Sequence, residues 1–333
     1  MKISFLVTFY NQEMYVNDCL KSIAKMNIPC DYEILIGDDG SDDGTRNEID
    51  KWIDWFGERL YVYTAEREDG NTDAVVRVSN LRKELLKRAT GEYYLIMDGD
   101  DYYSDNEFIV DALNMFNNNL ALSMVMFNYE KVSDKKVIEI NTGIQEGSVN
   151  KKHYIRNCYT HAGACVYKKI EDDIFLKRID NALYYDDNDI LIYHMTYGEA
   201  WYINKSVYAY RQTDNSLWKS KNRSQQGVLN VLGADNEVYL APEFADDIYY
   251  RYRKDILFSI FRGEDLIRKV GEEFFSVYRE LSLMGHCLMG KYITGQLDEE
   301  KIRKVDYIIA LIQAQDEMLY YRIKRECEQD YKI

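Results

Sequence analysis

Two spacings of hydrophobic residues alternate along the first hundred positions of the chain. Short apolar runs predict buried strands, and between them apolar residues recur at the spacing of amphipathic helices. Strands that alternate with helices favour a parallel sheet. The pattern therefore predicts an α/β fold with a Rossmann-like, mostly parallel sheet flanked by helices. The predicted strands span 3–9, 32–36, 60–64 and 93–97, and the predicted helices span 15–23, 49–56 and 81–88.

The pattern changes twice farther along the chain. After Asp101 it becomes mixed, with a helix at 108–116, a strand at 122–128 and short segments near Cys165 and Trp201, and from Glu243 it becomes a series of long amphipathic helices. The polar run 219–226 is the predicted linker. We therefore predict an α/β domain over 1–220, with halves 1–101 and 102–220, and a C-terminal all-helical region over 227–333.

Composition and charge exclude several classes of protein. The formal charge of -15 argues against a nucleic-acid partner. The six cysteines form no Cys-x-x-Cys pair, which argues against a structural zinc site or a redox dithiol. The opening apolar run is too short for the core of a signal peptide, and no stretch approaches the roughly 20 apolar residues of a membrane span. These features predict a cytoplasmic location.

Three carboxylates follow the fourth predicted strand, in Asp98-Gly99-Asp100-Asp101. Carboxylates at i and i+2, placed where a strand ends and a glycine lets the backbone turn, can direct oxygens at one Mg²⁺ or Mn²⁺ that also binds phosphates. A solvated turn would have the same composition.

A second acidic loop, 38–45, follows the second predicted strand. Asp38 and Asp39 can accept hydrogen bonds from a nucleobase or a ribose. Ser41 or Asp42 could instead cap the following helix. Since both acidic loops end parallel strands, we expect them at the sheet edge where such sheets bind ligands.

Three motifs, in this order, resemble those of the family-2 glycosyltransferases with the GT-A fold. The resemblance is close over the first hundred residues and weaker to about Ser216, and residues after about 225 resemble nothing that we can name. The motifs are Asn11-x-Glu13-x-Tyr15-Val16-x-x-Cys19-Leu20-x-Ser22-Ile23, Asp38-Asp39-Gly40-Ser41-x-Asp43-Gly44-Thr45 and Ala89-Thr90-Gly91-Glu92 followed by 93–101.

The resemblance implies a sugar nucleotide bound across the carboxyl edge of the sheet. It implies Asp39 on the base, Asp98 near the ribose, and Asp98 and Asp100 as ligands of Mn²⁺ or Mg²⁺. Arg82 is implied as a diphosphate contact, although Lys83 stands where the family often has Asn, and a solvated helix charge is the alternative. The remaining implied nucleotide contacts are Phe9, Tyr10, Asn11, Glu13, Asp38 and Gly99.

The resemblance also implies residues of the acceptor side. Asp187, after Asp186 in place of the usual Glu, corresponds to the general base of inverting members, and complementing a helix dipole is its alternative role. Arg211 is an implied diphosphate clamp, while Thr213 or Asp214 stands where the family has His. His161 has no assigned role.

The implied activity is metal-dependent, inverting transfer of a sugar from a nucleoside-diphosphate sugar, with UDP favoured, to a saccharide or lipid-linked saccharide acceptor in bacterial surface polysaccharide assembly. An inactive scaffold is the competing function. A sugar-phosphate nucleotidyltransferase is disfavoured because 9–13 contains no glycine. The amphipathic helices beyond Glu243 carry Lys and Arg interleaved with almost as many acidic residues. They could contact the inner face of a membrane, form a homodimer or pack on the catalytic domain.

Overall fold

The computed structural model describes residues 1–65, 74–133, 136–213, 221–270 and 299–330. The chain divides into two compact units, one of 1–154 with 158–216 and one of 155–157 with 217–333. The predicted linker 219–226 is wrong over 223–226, because a helix begins at Arg223. Asn222 caps that helix by accepting from the Gln225 N–H at 2.9 Å while the Gln225 side chain accepts from the Asn222 N–H at 3.0 Å.

The first unit contains ten strands among its described residues. They are β1 (Lys2–Phe9), β2 (Asp31–Asp38), β3 (Leu60–Thr64), β4 (Tyr93–Asp98), β5 (Tyr102–Tyr103), β6 (Leu122–Ser133), β7 (Lys136–Glu139), β8 (Gly147–Ser148), β9 (Cys165–Lys168) and β10 (Glu199–Arg211).

The helices of the first unit include two short ones where the sequence predicts a single helix over 49–56. They are α1 (Val16–Ala24), α2 (Thr45–Asp50), α3 (Ile53–Phe56), α4 (Ala74–Arg88), α5 (Phe108–Asn118), α6 (Lys151–Asn157), whose last residues belong to the second unit, α7 (Asp173–Asn181) and α8 (Asp187–Tyr197).

The sheet has the strand order β3-β2-β1-β4-β9-β6-β10-β5, with β7 paired to β6 and β8 paired to β10. Strands β3, β2, β1 and β4 are parallel, as are β6 and β10. Strand β9 is antiparallel to both of its neighbours. The prediction of a mostly parallel sheet flanked by helices is confirmed, and the antiparallel β9 in its middle was not foreseen.

The register of the sheet brings the two acidic loops together. Phe9 of β1 pairs with Asp38 of β2, and Thr8 of β1 pairs with Asp98 of β4. Both aspartates therefore leave the sheet at the same carboxyl edge, as predicted. Strand β1 is buried from Ile3 to Phe9, which anchors this edge in the hydrophobic core.

The second unit is helical wherever it is described. Its helices are α9 (Arg223–Leu240), α10 (Ala245–Arg251), α11 (Arg253–Val270), α12 (Glu299–Gln315) and α13 (Glu317–Asp330). Buried residues such as Val228, Ile256 and Ile312 form its core, and Arg253 pairs with Asp316 at 2.9 Å. Across the ranges described, no helix combines the length and the apolarity needed to cross a bilayer.

Candidate active site at the carboxyl edge of the sheet

The acidic turn after β4 is packed into the fold, with Asp98 and Asp100 half-buried and Asp101 fully buried, so the alternative of a solvated turn is wrong. Asp101 has no exposed surface. The Tyr208 hydroxyl donates to its Oδ2 and the Arg211 backbone N–H donates to its Oδ1, both at 2.7 Å. Strand β10 thus holds the turn in place through two hydrogen bonds to one carboxylate.

Glycine is required at position 99 by packing. A Cβ on Gly99 would lie 2.1 Å from Cδ1 of Phe9, and Phe9 is buried in the core with 1% exposure. This close approach lets the turn fold tightly against the end of β1. The predicted nucleotide contacts of Phe9 and Gly99 stay predictions.

Burial and crowding perturb the three carboxylates of the turn. Burial and the charge of Asp98 raise the pKa of Asp100 to about 6. Burial, with Asp100 and Asp98, raises the pKa of Asp101 well above its usual range. Burial would also raise the pKa of Asp98, but the Arg82 guanidinium and His161 outweigh it and lower that pKa. Such crowding of buried acids is typical of sites that take a positively charged ligand.

Arg82 connects this turn to helix α8. Its side chain, on α4, is 4% exposed. It pairs through Nη2 with Asp98 Oδ1 at 2.5 Å, and through Nη1 with Asp186. The alternative of a solvated helix charge is therefore wrong, and Arg82 is a buried cation that pairs with two partly exposed carboxylates.

The second acidic loop is also well ordered by side chains. Asp38 is 2% exposed, and its Oδ1 accepts from both the hydroxyl (2.6 Å) and the N–H (3.1 Å) of Ser41. The expectation that Ser41 or Asp42 caps the next helix is wrong: Gly44 is the N-cap residue of α2. Ser41 instead fixes the conformation of the loop after β2.

Asp39 faces the same edge. It is 4% exposed, and Arg77 Nε donates to its Oδ2 at 2.9 Å. Its backbone N–H donates to the Phe9 carbonyl at 2.9 Å. A buried carboxylate that is held by one arginine is suited to a polar ligand such as a nucleobase, and this role stays a prediction.

The loop after β1 is tied to the loop after β2. Asn11, with a φ of 49°, donates from Nδ2 to Asp42 Oδ1 at 2.6 Å. Glu13 Oε2 accepts from the Gly44 N–H at 3.2 Å. Asn11 and Glu13 therefore have structural partners, Tyr10 lies beside them half-buried, and their predicted contacts with a nucleotide are not tested.

Asp187, the predicted base, is the first residue of α8 and is 27% exposed. Its Oδ2 accepts from the Tyr159 hydroxyl at 3.1 Å and lies 3.8 Å from His161 Nε2. Burial raises the pKa of Asp187, and His161 and Arg82 oppose that rise. Asp189 instead accepts the Asp186 N–H at 3.2 Å, the local capping role that is typical of an acidic helix start.

Arg211 lies on the other side of the acidic turn. Its Nε donates to the Asp100 carbonyl at 2.7 Å, and its guanidinium carbon lies 4.9 Å from the centre of the Tyr15 ring. The Thr213 hydroxyl lies 3.5 Å from Asp100 Oδ2, and Asp214 lies outside the described residues. The predicted diphosphate clamp is thus placed next to the turn, and its function stays a prediction.

Sequence reasoning missed the position of His161. One ligand atom each of Asp98, Asp101 and His161 lies within 4.8 Å of the others. The sequence carries no signal for this, because a lone histidine between α6 and β9 belongs to no spacing motif. Asp100, predicted as the main metal ligand, is not part of that group.

The oxygen donors at this edge fit a divalent cation. Asp98, Asp100 and Asp101 are hard oxygen ligands of the type that Mg²⁺ and Mn²⁺ prefer, and the raised pKa of Asp100 is the response expected where negative charges crowd.

His161 fits a role as a metal ligand less well than these carboxylates do. The Gly163 N–H donates to its Nδ1 at 3.1 Å, so the neutral ring carries its proton on Nε2, the atom that lies 3.8 Å from Asp187 Oδ2.

Comparisons with known proteins give this geometry a context. TarS of Staphylococcus aureus, a poly(ribitol-phosphate) beta-N-acetylglucosaminyltransferase, is 34% identical over 113 residues, which are 34% of this chain and 18% of TarS. WfgD of Escherichia coli, a UDP-Glc:alpha-D-GlcNAc-diphosphoundecaprenol beta-1,3-glucosyltransferase, is 26% identical over 156 residues, 47% of this chain and 56% of WfgD. Neither match spans two thirds of the relative.

The fold is shared over a longer stretch. The crystal structure of S. aureus TarS 1–349 in complex with UDP-GlcNAc superposes with a TM-score of 0.63 and 21% identity, covering 100% of this chain and 92% of that one. The chain therefore has the GT-A fold with C-terminal helices. The sequence profile described as glycosyl transferase family 2 matches residues 4–175, about half of the chain. This chain belongs to glycosyl transferase family 2.

Proposed function

We propose that this chain transfers a sugar from a UDP-sugar to a hydroxyl group of a saccharide or glycoconjugate acceptor, with inversion at the sugar carbon. The names of two relatives support the donor and acceptor classes: TarS is a beta-N-acetylglucosaminyltransferase acting on poly(ribitol-phosphate), and WfgD uses UDP-Glc. The catalytic part is the domain 1–220, and 227–333 is a helical accessory region.

The donor would bind at the shared edge of β1, β2 and β4. Asp39 would take the base and Asp98 the ribose side, with Asp38 shaping the loop through Ser41. Asp98 and Asp100 would hold Mn²⁺ or Mg²⁺, and this cation would offset the charge that develops on the departing nucleoside diphosphate. Arg211 would add a second positive charge beside the diphosphate.

One observation carries the proposal: Arg82 pairs at once with Asp98 of the donor edge and with Asp186, the neighbour of Asp187. This fixes the start of α8, and so the proposed base, next to the carboxylates that would face the donor. Asp187 accepts the proton of the acceptor hydroxyl while the hydroxyl oxygen attacks the sugar carbon. The bond from sugar to diphosphate breaks, and its electron pair leaves with the diphosphate.

Removing the proton of the acceptor hydroxyl requires a carboxylate that is ionised and also basic enough to accept that proton. Burial raises the pKa of Asp187 while His161 and Arg82 moderate the rise, which makes it a stronger proton acceptor than an exposed aspartate. Activity should therefore fall as the pH drops through this raised pKa.

The test combines binding and turnover. We expect UDP, in preference to GDP or CDP, to raise the melting temperature in Mn²⁺ but not in EDTA, since a ligand at about 100 times its Kd adds roughly 2.7 kcal/mol. We expect Asp187→Asn to lower UDP release from UDP-N-acetylglucosamine or UDP-glucose by about 10²–10⁴-fold while the UDP-induced shift remains.

The matched control is Asp172→Asn. Asp172 caps α7 by accepting the Ile174 N–H at 2.9 Å, and asparagine caps helices equally well. This variant should keep wild-type turnover. If Asp187→Asn also keeps it, Asp187 only complements the dipole of α8 and is not the base. UDP binding without turnover of any donor would favour the inactive scaffold.

A further inference from the structure

Two side chains face the same carboxylate oxygen of Asp187. The Tyr159 hydroxyl donates to Oδ2 at 3.1 Å, and His161 Nε2 lies 3.8 Å from the same Oδ2. Both residues come from the segment between α6 and β9. Among the contacts of the described residues, both side chains lie nearest to Oδ2, and neither contacts Oδ1 of Asp187.

The protonation of His161 follows from its own contacts. Its Nδ1 accepts the Gly163 N–H at 3.1 Å and the side chain is 5% exposed. A ring nitrogen that accepts a hydrogen bond carries no proton, so the proton is on Nε2. The ring therefore presents an N–H, not a lone pair, towards Asp187.

The His161 ring is also fixed in orientation. It stacks on Tyr208 with ring centroids 4.8 Å apart and planes 23° apart, and Tyr210 lies 4.9 Å away. A Cβ on Gly163 would lie 2.4 Å from the Tyr208 ring, so glycine is needed for this packing. The backbone contact and the stack together leave the imidazole little freedom to turn.

We infer that His161, together with Tyr159, is a positioning residue for Asp187. The Tyr159 hydroxyl holds Oδ2 and the His161 Nε2–H faces it, so that Oδ1 is the oxygen that takes the proton of the acceptor hydroxyl. The gap of 3.8 Å closes on substrate binding, as hydrogen bonds of catalytic groups commonly do. This inference rests on the proposed function of Asp187 as base, and it opposes a role for His161 as a metal ligand.

Two substitutions separate positioning from structure. In His161→Asn the amide oxygen can replace Nδ1 as acceptor for the Gly163 N–H, but the donor facing Asp187 is lost. In His161→Gln the amide nitrogen can reach the position of Nε2, but the acceptor for Gly163 is lost. If His161 positions Asp187, kcat should fall in the variant that lacks the hydrogen-bond donor facing Asp187. If its role is structural, kcat should fall in the variant with the lower melting temperature.

UDP release from UDP-N-acetylglucosamine and from UDP-glucose is the assay. We expect His161→Asn and Tyr159→Phe each to lower kcat about 10-fold to 100-fold with the donor KM unchanged, the loss typical of one hydrogen bond to a charged group. His161→Gln should recover most of kcat despite a lower melting temperature. The Mn²⁺ concentration for half activity should not change in any of them, and His153→Asn, at an exposed histidine, is the control.

Three results would overturn the inference. They are full kcat in His161→Asn, equal losses in the Asn and Gln variants, and a much higher Mn²⁺ requirement in both, which would make His161 a metal ligand.

A measurement that needs no turnover completes the test. In ¹⁵N-histidine NMR spectra of the full chain, we expect the His161 signals to report a proton on Nε2 and to shift in Asp187→Asn, with the buried His194 as internal reference. Unshifted His161 signals would overturn the inference. Shifted signals in a protein that releases no UDP would contradict the proposed function alone.

Discussion

Both units of the chain bury carboxylates, but in different surroundings. At the sheet edge, Asp98 and Asp186 share the buried Arg82. In the helical unit, Glu237 of α9 is 2% exposed and its Oε1 accepts from the Tyr252 hydroxyl at 2.5 Å, while Oε2 has no hydrogen-bond partner among the described residues. In the first region an arginine contacts the carboxylates directly, and in the second a tyrosine hydroxyl contacts the acid.

The difference shows in the acidity of the groups. Burial raises the pKa of Glu237 to about 7, although Arg251 and the Tyr252 hydroxyl lower it. At the sheet edge, Arg82 overcomes burial and keeps the pKa of Asp98 low. The arginine in direct contact keeps the pKa of Asp98 low, whereas Asp100 and Asp101 of the same turn have raised pKa values, as Glu237 does. Perturbed carboxylates of this kind cluster at functional sites.

Removing the shared cation should have the largest effect on stability. Arg82→Met leaves Asp98 and Asp186 without their partner. Breaking a fully buried ion pair costs about 3–5 kcal/mol, and because these two carboxylates are 29% and 42% exposed, the loss should lie near the lower end of that range. We expect that loss in the free energy of unfolding, measured with urea. Arg82→Lys, which keeps the charge without the two-pronged geometry, should lose less. A Met variant as stable as the wild type would mean that the two acids are solvated and not held by Arg82.

Glu237 should give a smaller, pH-dependent effect. Its pKa is about 7 in the folded chain and 4.5 is its usual value. The folded state thus binds the proton more tightly between these values, and stability falls as the pH rises from about 4.5 to 7. The fall attributable to this group is about 3 kcal/mol. In Glu237→Gln the difference in unfolding free energy between pH 5 and pH 8 should shrink by that amount, and an unchanged difference would refute the raised pKa.

An exposed pair should have the smallest effect. Lys304 and Glu300 lie one helical turn apart on α12, with side chains 58% and 69% exposed and 3.0 Å between Nζ and Oε1. Because water screens such pairs, Lys304→Ala should change stability by less than about 0.5 kcal/mol. A loss as large as that of Arg82→Met would mean that burial is not what distinguishes the two regions.

The sequence predicted the part of the site that local pattern determines. Apolar runs located β1, β2 and β4, and the register of parallel strands then required Asp38 and Asp98 to emerge at one edge. The family motifs extended this to Asp187. Each of these inferences needs only residues that are close in sequence, or parallel strands whose carboxyl ends lie at one edge of the sheet.

Side-chain contacts between segments that are distant in sequence cannot be predicted from local patterns. Arg82 meets Asp186 across 104 positions, and no spacing rule links them. His161 reaches Asp187 because β9 enters the sheet antiparallel, between β4 and β6. The predicted linker 219–226 overlaps the start of α9 because Asn222 and Gln225 are polar residues typical of linkers, and here they cap a helix.

The pairing of β5 with β10 ties the site to the order in which the chain is synthesised. Tyr103 pairs with Tyr208, and Tyr102 with Ala209, so both hydrogen bonds to Asp101 come from a strand made about a hundred residues later. A nascent chain that ends before β10 carries the acidic turn without them. Such late, long-range pairing is slow to form. The first strands can associate early during translation, but the two hydrogen bonds to the Asp101 carboxylate form only once Arg211 has been added.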